Sequence, residues 1–288
     1  MYIRTPMNSW LGESPSCPPV AGYHAPFSTG GQYVGEKDSA KLLTILSGPS
    51  PYQKYIQQVM NSKAASALPK NFIRIVSSPK EVPDRRVRER FVTKDNKIVG
   101  GTIDRLTGTI YLLEVPRIRG YTRLEFALHE VVHLFAHPFM TAIDDPTYQQ
   151  RYGRGCSTTD TDIGSFQKKY CFGIGEGATQ AITEQIMECQ GISKYYAERP
   201  YDDFTPPVFE IIRIFSLDKF ARAYFWGEIK EFTDAMEFRW GNAWRNVANY
   251  TATQHKDLAL NEIKKLELAF RQRTGDFPTP SPYVRALS

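Results

Sequence analysis

His129, Glu130 and His133 are the residues of this chain whose types and spacing can do chemistry. They stand as His129-Glu130-Val131-Val132-His133, inside a stretch from Thr122 to His137 that reads as one apolar, amphipathic helix. Two histidines four apart lie on one helix face, one turn from each other, so both rings can reach a single metal ion. Glu130 is offset by one position, which lets its carboxylate reach a water on that ion without becoming a ligand. Two neutral imidazoles, an open position for water and a general base beside it are the parts that metal-assisted hydrolysis needs.

A pattern with three fixed positions needs its context. Thr122 followed by Glu125 makes a capping box, Tyr121 and Phe126 hold the hydrophobic-staple positions, and Pro138 supplies a stop. Leu124, Ala127, Leu128, Val131, Val132, Leu134 and Phe135 make the helix apolar over most of its circumference, as in a buried helix. Buried histidines and a buried glutamate require partners, and a metal provides them.

Zinc hydrolases take three protein ligands and keep one position open. His137 extends the series by another turn, but three ligands along one straight helix converge poorly, and Pro138 distorts its end. His137 reads instead as a helix-end residue. Ala136 and Phe139 stand where the metzincin pattern requires Gly and His. The better third ligand is Glu176, in Gly173-Ile174-Gly175-Glu176-Gly177-Ala178-Thr179-Gln180, 43 residues beyond His133 (176 − 133). It opens a second helical pattern. Ala178, Ala181, Ile182, Gln185, Ile186 and Cys189 form one side, while Glu176, Thr179, Gln180, Thr183 and Glu184 form the other. The glycines before Glu176 permit a tight turn. Glu184 is the fallback ligand.

With these two motifs, residues 100–188 resemble the gluzincins, zinc peptidases with H-E-x-x-H on one helix and a ligand Glu on the next. The local form Glu176-Gly177-Ala178-Thr179 resembles the second motif of compact bacterial members. The resemblance implies Zn2+ as cofactor, His129, His133 and Glu176 as ligands, and Glu130 as general base. It departs at Gln180, where thermolysin-type members place an acid that orients the first histidine. An amide oxygen can still accept the imidazole N–H. Thr179 is the other acceptor within reach. Gluzincins supply an oxyanion donor from the later lobe; the matching residues here are Tyr201 first, in a Pro/Asp-rich turn, then Tyr196, His255 and Arg213. The expected activity is endopeptidase cleavage of a protein substrate. Two other readings stay open: a non-catalytic, zinc-stabilised binding protein, and a zinc hydrolase acting on a non-peptide bond.

Composition narrows the class. The 288 residues are 41% hydrophobic and 13% aromatic, ample for a large core. No apolar run reaches the length of a membrane span. Net charge is +5 (36 − 31), and the basic residues of Pro83 to Arg90 interleave with acids, which reads as a solvated strand or loop. No nucleic-acid motif accompanies them. Met1 to Pro6 lack the apolar core of a Sec signal peptide, so the expected setting is cytoplasmic or export by a specialised system. That setting resembles bacterial metallopeptidase toxins or effectors, whose partners are secretion machinery or an immunity protein. The four cysteines, Cys17, Cys156, Cys171 and Cys189, are too few for a disulfide framework. Cys156 and Cys171 are placed to pair in an oxidising compartment, and Cys17 is a remote candidate for a latency thiolate.

The elements that must position the site follow from local pattern. Residues 1–35 read as an extended arm, 36–272 as the metallopeptidase domain and 273–288 as an irregular tail. Lys41 to Ala67 is helical, broken at Gly48-Pro49-Ser50-Pro51. Phe72 to Val76 is a strand; Ile98 to Leu113 is a hairpin turning at Asp104 to Gly108, whose outgoing strand is expected at the sheet edge, open to an extended peptide. The connection 138–173 reads as loop. Pro207 to Phe232 and Asn242 to Gln272 are helical, with Phe209, Phe215, Phe220, Tyr224, Phe225 and Trp226 in the core. The fold class is α+β: a small mixed sheet with the H-E-x-x-H helix to about residue 190, then a mainly helical lobe from 191, with zinc in the cleft between.

Overall fold

Two β-branched and aliphatic runs make the parallel pair of the sheet. β1 (Ile73–Val76) and β3 (Thr109–Leu113) pair in parallel, with Ile73 beside Ile110 and Val76 beside Leu113. β2 (Gly101–Asp104) joins β3 antiparallel across a turn closed by Gly108, whose φ of 69° suits glycine. The order is therefore β1-β3-β2. A two-stranded piece, β4 (Arg117–Ile118) and β5 (Tyr121–Thr122), leads into the next helix. The computed structural model describes residues 39–62, 72–91, 100–104, 107–114, 117–118, 121–136, 172–192, 203–252 and 255–275.

β3 is buried along its whole length, as a strand covered on both faces must be. Ile110 and Leu112 face the main core, while Tyr111 and Leu113 close a smaller cluster with Val76, Val82, Val87 and Phe91. This corrects the expectation that β3 is the edge strand. Its pattern encodes an apolar strand, but not the distant partner β1 that fills its second side. Among the described residues β2 is an outer strand of the sheet; all four of its residues are buried, and the Ile103 carbonyl accepts from Arg90 Nη1 at 3.1 Å. The basic run is a second correction. It folds as the short helix α3 (Arg85–Glu89), capped by Asp84, whose side chain accepts from Arg86 N at 2.7 Å, with Val87 buried beneath.

α1 (Ser39–Ser47) and α2 (Gln53–Met60) flank the Gly/Pro break as expected. α4 (Arg123–Leu134) carries the H-E-x-x-H residues and packs on α1, β2, β3 and α5 (Phe172–Cys189). It starts directly after Thr122, but ends at Leu134 rather than His137, with Ala136 N–H on His133 O at 3.2 Å tightening the last turn. The second half is helical: α6 (Thr205–Phe215), α7 (Leu217–Ala221), a π turn (Arg222–Trp226), α8 (Ile229–Trp240), α9 (Trp244–Ala252) and α10 (Lys256–Thr274). Glu267 of α10 ties the bundle to α8, accepting from Arg239 at 2.6 Å and from Trp240 Nε1 at 2.7 Å. The result is a helix-rich α+β chain with a small mixed sheet. No described helix is long and apolar enough to cross a membrane. Cys189, at the end of α5, is disulfide-bonded, a pairing the sequence reading did not assign. The arm at 1–35, Cys17, Cys156, Cys171, the loop at 138–171 and the tail beyond 275 lie outside the described residues.

Candidate metal centre

α4 presents His129 and His133 one turn apart, their ring centroids 4.7 Å from each other and their planes at 78°. α5 crosses beneath and brings Glu176 to the same point from its first turns. Glu176 Oε2 lies 3.4 Å from His129 Nε2 and 3.3 Å from His133 Nε2. Ligand atoms around a tetrahedral ion at about 2.0–2.1 Å stand about 3.3–3.4 Å apart. Both measured edges have that length. Among the described residues, these three form a group that could hold a metal ion, with all ligand atoms within 4.8 Å of one another.

Electrostatics point the same way. Burial alone would depress His129, yet the Glu176 carboxylate facing it holds its pKa above the ordinary histidine value. Burial would raise Glu176, but the two imidazoles, His133 foremost, hold its carboxyl well below the usual range. Three donor atoms thus converge on a point that favours positive charge.

The far side of each ring is fixed by α5. His129 Nδ1 meets Gln180 Oε1 at 3.0 Å, and His133 Nδ1 meets Thr179 Oγ1 at 3.1 Å. Thr179 donates to the Gly175 carbonyl at 2.9 Å, so its oxygen accepts from His133 Nδ1–H and from Tyr224 O–H, which lies 2.6 Å away. Both rings then carry hydrogen on Nδ1 and turn the Nε2 lone pair toward Glu176. Tyr224 is a residue the sequence reading placed in the core. The π turn brings its hydroxyl behind His133, while neighbouring Phe225 stays buried. Phe220, stacked at 6.3 Å, and Phe225, edge-on at 4.9 Å, hold the Tyr224 ring.

Glu130 stays outside the ligand group and is half-buried beside β2. A methyl group placed on Gly101 would stand 3.2 Å from its Cγ and 2.9 Å from Leu112 Cδ2, so glycine is what lets α4 lie so close to the sheet. Glu184 is neither ligand nor solvent-facing: it is 3% exposed and accepts from Gln180 Nε2 at 3.0 Å. Of the proposed oxyanion donors, Arg213 is exposed and engaged by Glu210 at 2.7 Å, and His255 is exposed at the start of α10. Tyr201, Tyr196 and His137 lie outside the described residues.

The glycines of the Glu176 motif have different roles from those expected. Gly173 and Gly175 lie within α5 rather than in a turn, and a methyl group on Gly175 meets nothing within 4 Å. On Gly177 it would meet the Phe204 carbonyl oxygen at 2.6 Å and Val208 Cγ2 at 2.9 Å. Gly177 is where α5 presses against the start of α6, one residue from Glu176. Gly175→Ala is therefore expected to leave the His129, His133 and Glu176 group in place and to gain up to about 1 kcal/mol of helix stability. Gly177→Ala should lower both divalent-metal uptake and the unfolding temperature, because backbone cannot yield as a side chain does. Equal metal uptake and equal melting in the two variants would contradict this contact.

The chain matches no family model, no curated protein and no solved structure. What the site can do chemically rests on its own geometry.

Proposed function

We propose that this chain is a zinc-dependent endopeptidase, with His129, His133 and Glu176 as ligands and Glu130 as general base. The observation that carries the reading is the pair of 3.3 and 3.4 Å edges from Glu176 to the two Nε2 atoms, with the Glu130 carboxylate, one residue along from His129, outside the group. A zinc ion held there supplies Lewis acidity toward the scissile carbonyl and lowers the pKa of the attacking water. Glu130 takes that water's proton and returns it to the departing amine. His129 is sealed off, while the His133 and Glu176 side chains are 14% and 19% exposed, so the group opens on one side only. Substrate and water enter there. Thr179 and Gln180 keep both rings from turning as the charge on the site changes.

The test is direct. Purified protein should bind about one zinc per chain, following the three-ligand pattern of hydrolytic sites. Incubated with a protein mixture, it should produce new N-termini that His133→Ala, stripped of most of its zinc, does not. Zinc binding with no zinc-dependent cleavage would replace the peptidase reading by the binding-protein one. Full zinc retention by His133→Ala would overturn the site itself.

A further inference from the structure

A buried carboxylate stands two helical turns behind the ligand Glu176. Glu176, Gln180 and Glu184 follow one another at intervals of four residues, so α5 presents all three on one face. Gln180 joins the other two parts: Oε1 meets His129 Nδ1 at 3.0 Å, and Nε2 donates to Glu184 Oε1 at 3.0 Å. A carboxylate offers acceptors only, so it must receive the N–H side of the amide. The amide carbonyl then has to face the imidazole. A flipped amide would set a lone pair against the carboxylate and an N–H against the ring.

We propose that Glu184 is a positioning residue for the metal: it fixes the orientation of Gln180, and through it holds His129 as the Nδ1–H tautomer with Nε2 presented to the cation. This inference rests on the zinc reading above. Burial supports it, because Glu184 is 3% and Gln180 1% exposed, and a glutamate so placed requires polar partners. The two ligand rings are also treated differently. His133, open to the outside, is backed by the neutral pair Thr179 and Tyr224. His129, the sealed ring, is backed by negative charge delivered through an amide.

Zinc affinity, measured by competition with a chromophoric chelator, tests this without using activity. In Glu184→Gln the side chain at 184 offers both donor and acceptor, and Gln180 loses its fixed orientation. Zinc affinity should fall by about 10–100-fold, the usual cost of losing a group that orients a ligand. The exchange Gln180→Glu/Glu184→Gln places the carboxylate on the imidazole and the amide behind it, and should recover most of the loss. Rescue separates positioning from a purely structural role, which the exchange would not restore. If Glu184→Gln does not fold, Glu184→Asp gives the reading: the shortened carboxylate should lose affinity in the same direction. Wild-type affinity in the folded variant, or an exchange no better than Glu184→Gln alone, overturns the inference. A wild-type chain that takes up no zinc overturns the metal site and this inference together, so the two failures are told apart in one titration.

Discussion

Glu130→Gln is expected to keep the zinc and the unfolding temperature of the wild type while peptide hydrolysis falls by about 10²–10⁴-fold. That loss corresponds to roughly 3–5 kcal/mol of transition-state stabilisation, at about 1.36 kcal/mol per decade. The separation of effects follows from where the side chain sits. One residue along from His129, Glu130 is offset from the two histidines around the helix, and it does not belong to the group of converging ligand atoms. Its stem lies against Gly101 of β2. The amide fills the same space and keeps the packing of the stem against Gly101. What disappears is the ability to accept a proton from the attacking water and to hand it on. Metal content, melting and turnover measured on one preparation decide the role. Loss of zinc in the variant would make Glu130 a ligand, and unchanged turnover would remove it from the chemistry.

The site was legible in the sequence wherever its geometry is local to one helix. His129 and His133 had to share a face because α-helical spacing leaves no alternative. Gln180 and Thr179 followed Glu176 by four and three residues, so both had to rise on the same side as the ligand. The resemblance put Gln180 at the first histidine, and in the structure it meets His129; spacing did not reveal that Thr179 would meet His133. Glu184 shows where pattern reasoning fails. A row of polar residues along a helix ordinarily faces solvent. Here the row supports the ligands, and Thr179, Gln180, Thr183 and Glu184 are all buried. Tyr224 carried no local signal at all. An aromatic in a helical run reads as core, and only the π turn and the crossing of α5 bring its hydroxyl to Thr179. The position of β3 failed for a related reason: its parallel partner β1 lies far back in the chain, and pairing between distant strands leaves no mark on either one.

Glu176→Ala carries the second large effect, because in the proposed site Glu176 is the one ligand that α4 does not supply. The two histidines come with their helix, and without Glu176 they leave an ion held by two neutral donors on one side. The carboxylate contributes both the third donor and the only negative charge in the group. Its removal should weaken zinc binding by more than the roughly 10–100-fold that loss of an orienting group costs, and abolish turnover with it. Glu176→Gln separates the two contributions: it keeps the shape and a neutral oxygen, so its affinity should fall between wild type and Glu176→Ala. Competition against a chelator, with melting followed in excess chelator to confirm that the metal-free folds are equivalent, measures each step. The paired distances of 3.3 and 3.4 Å motivate the expectation, since they place one carboxylate oxygen within reach of both Nε2 atoms. Should Glu176→Ala hold zinc as tightly as the wild type, Glu176 is not the third ligand, and the candidates left from the sequence are His137, His255 and Glu184. α4 and α5 would then be joined at this point only by the bonds of Thr179 and Gln180 to the two rings, and the gluzincin-like order of the motifs would have no chemical meaning.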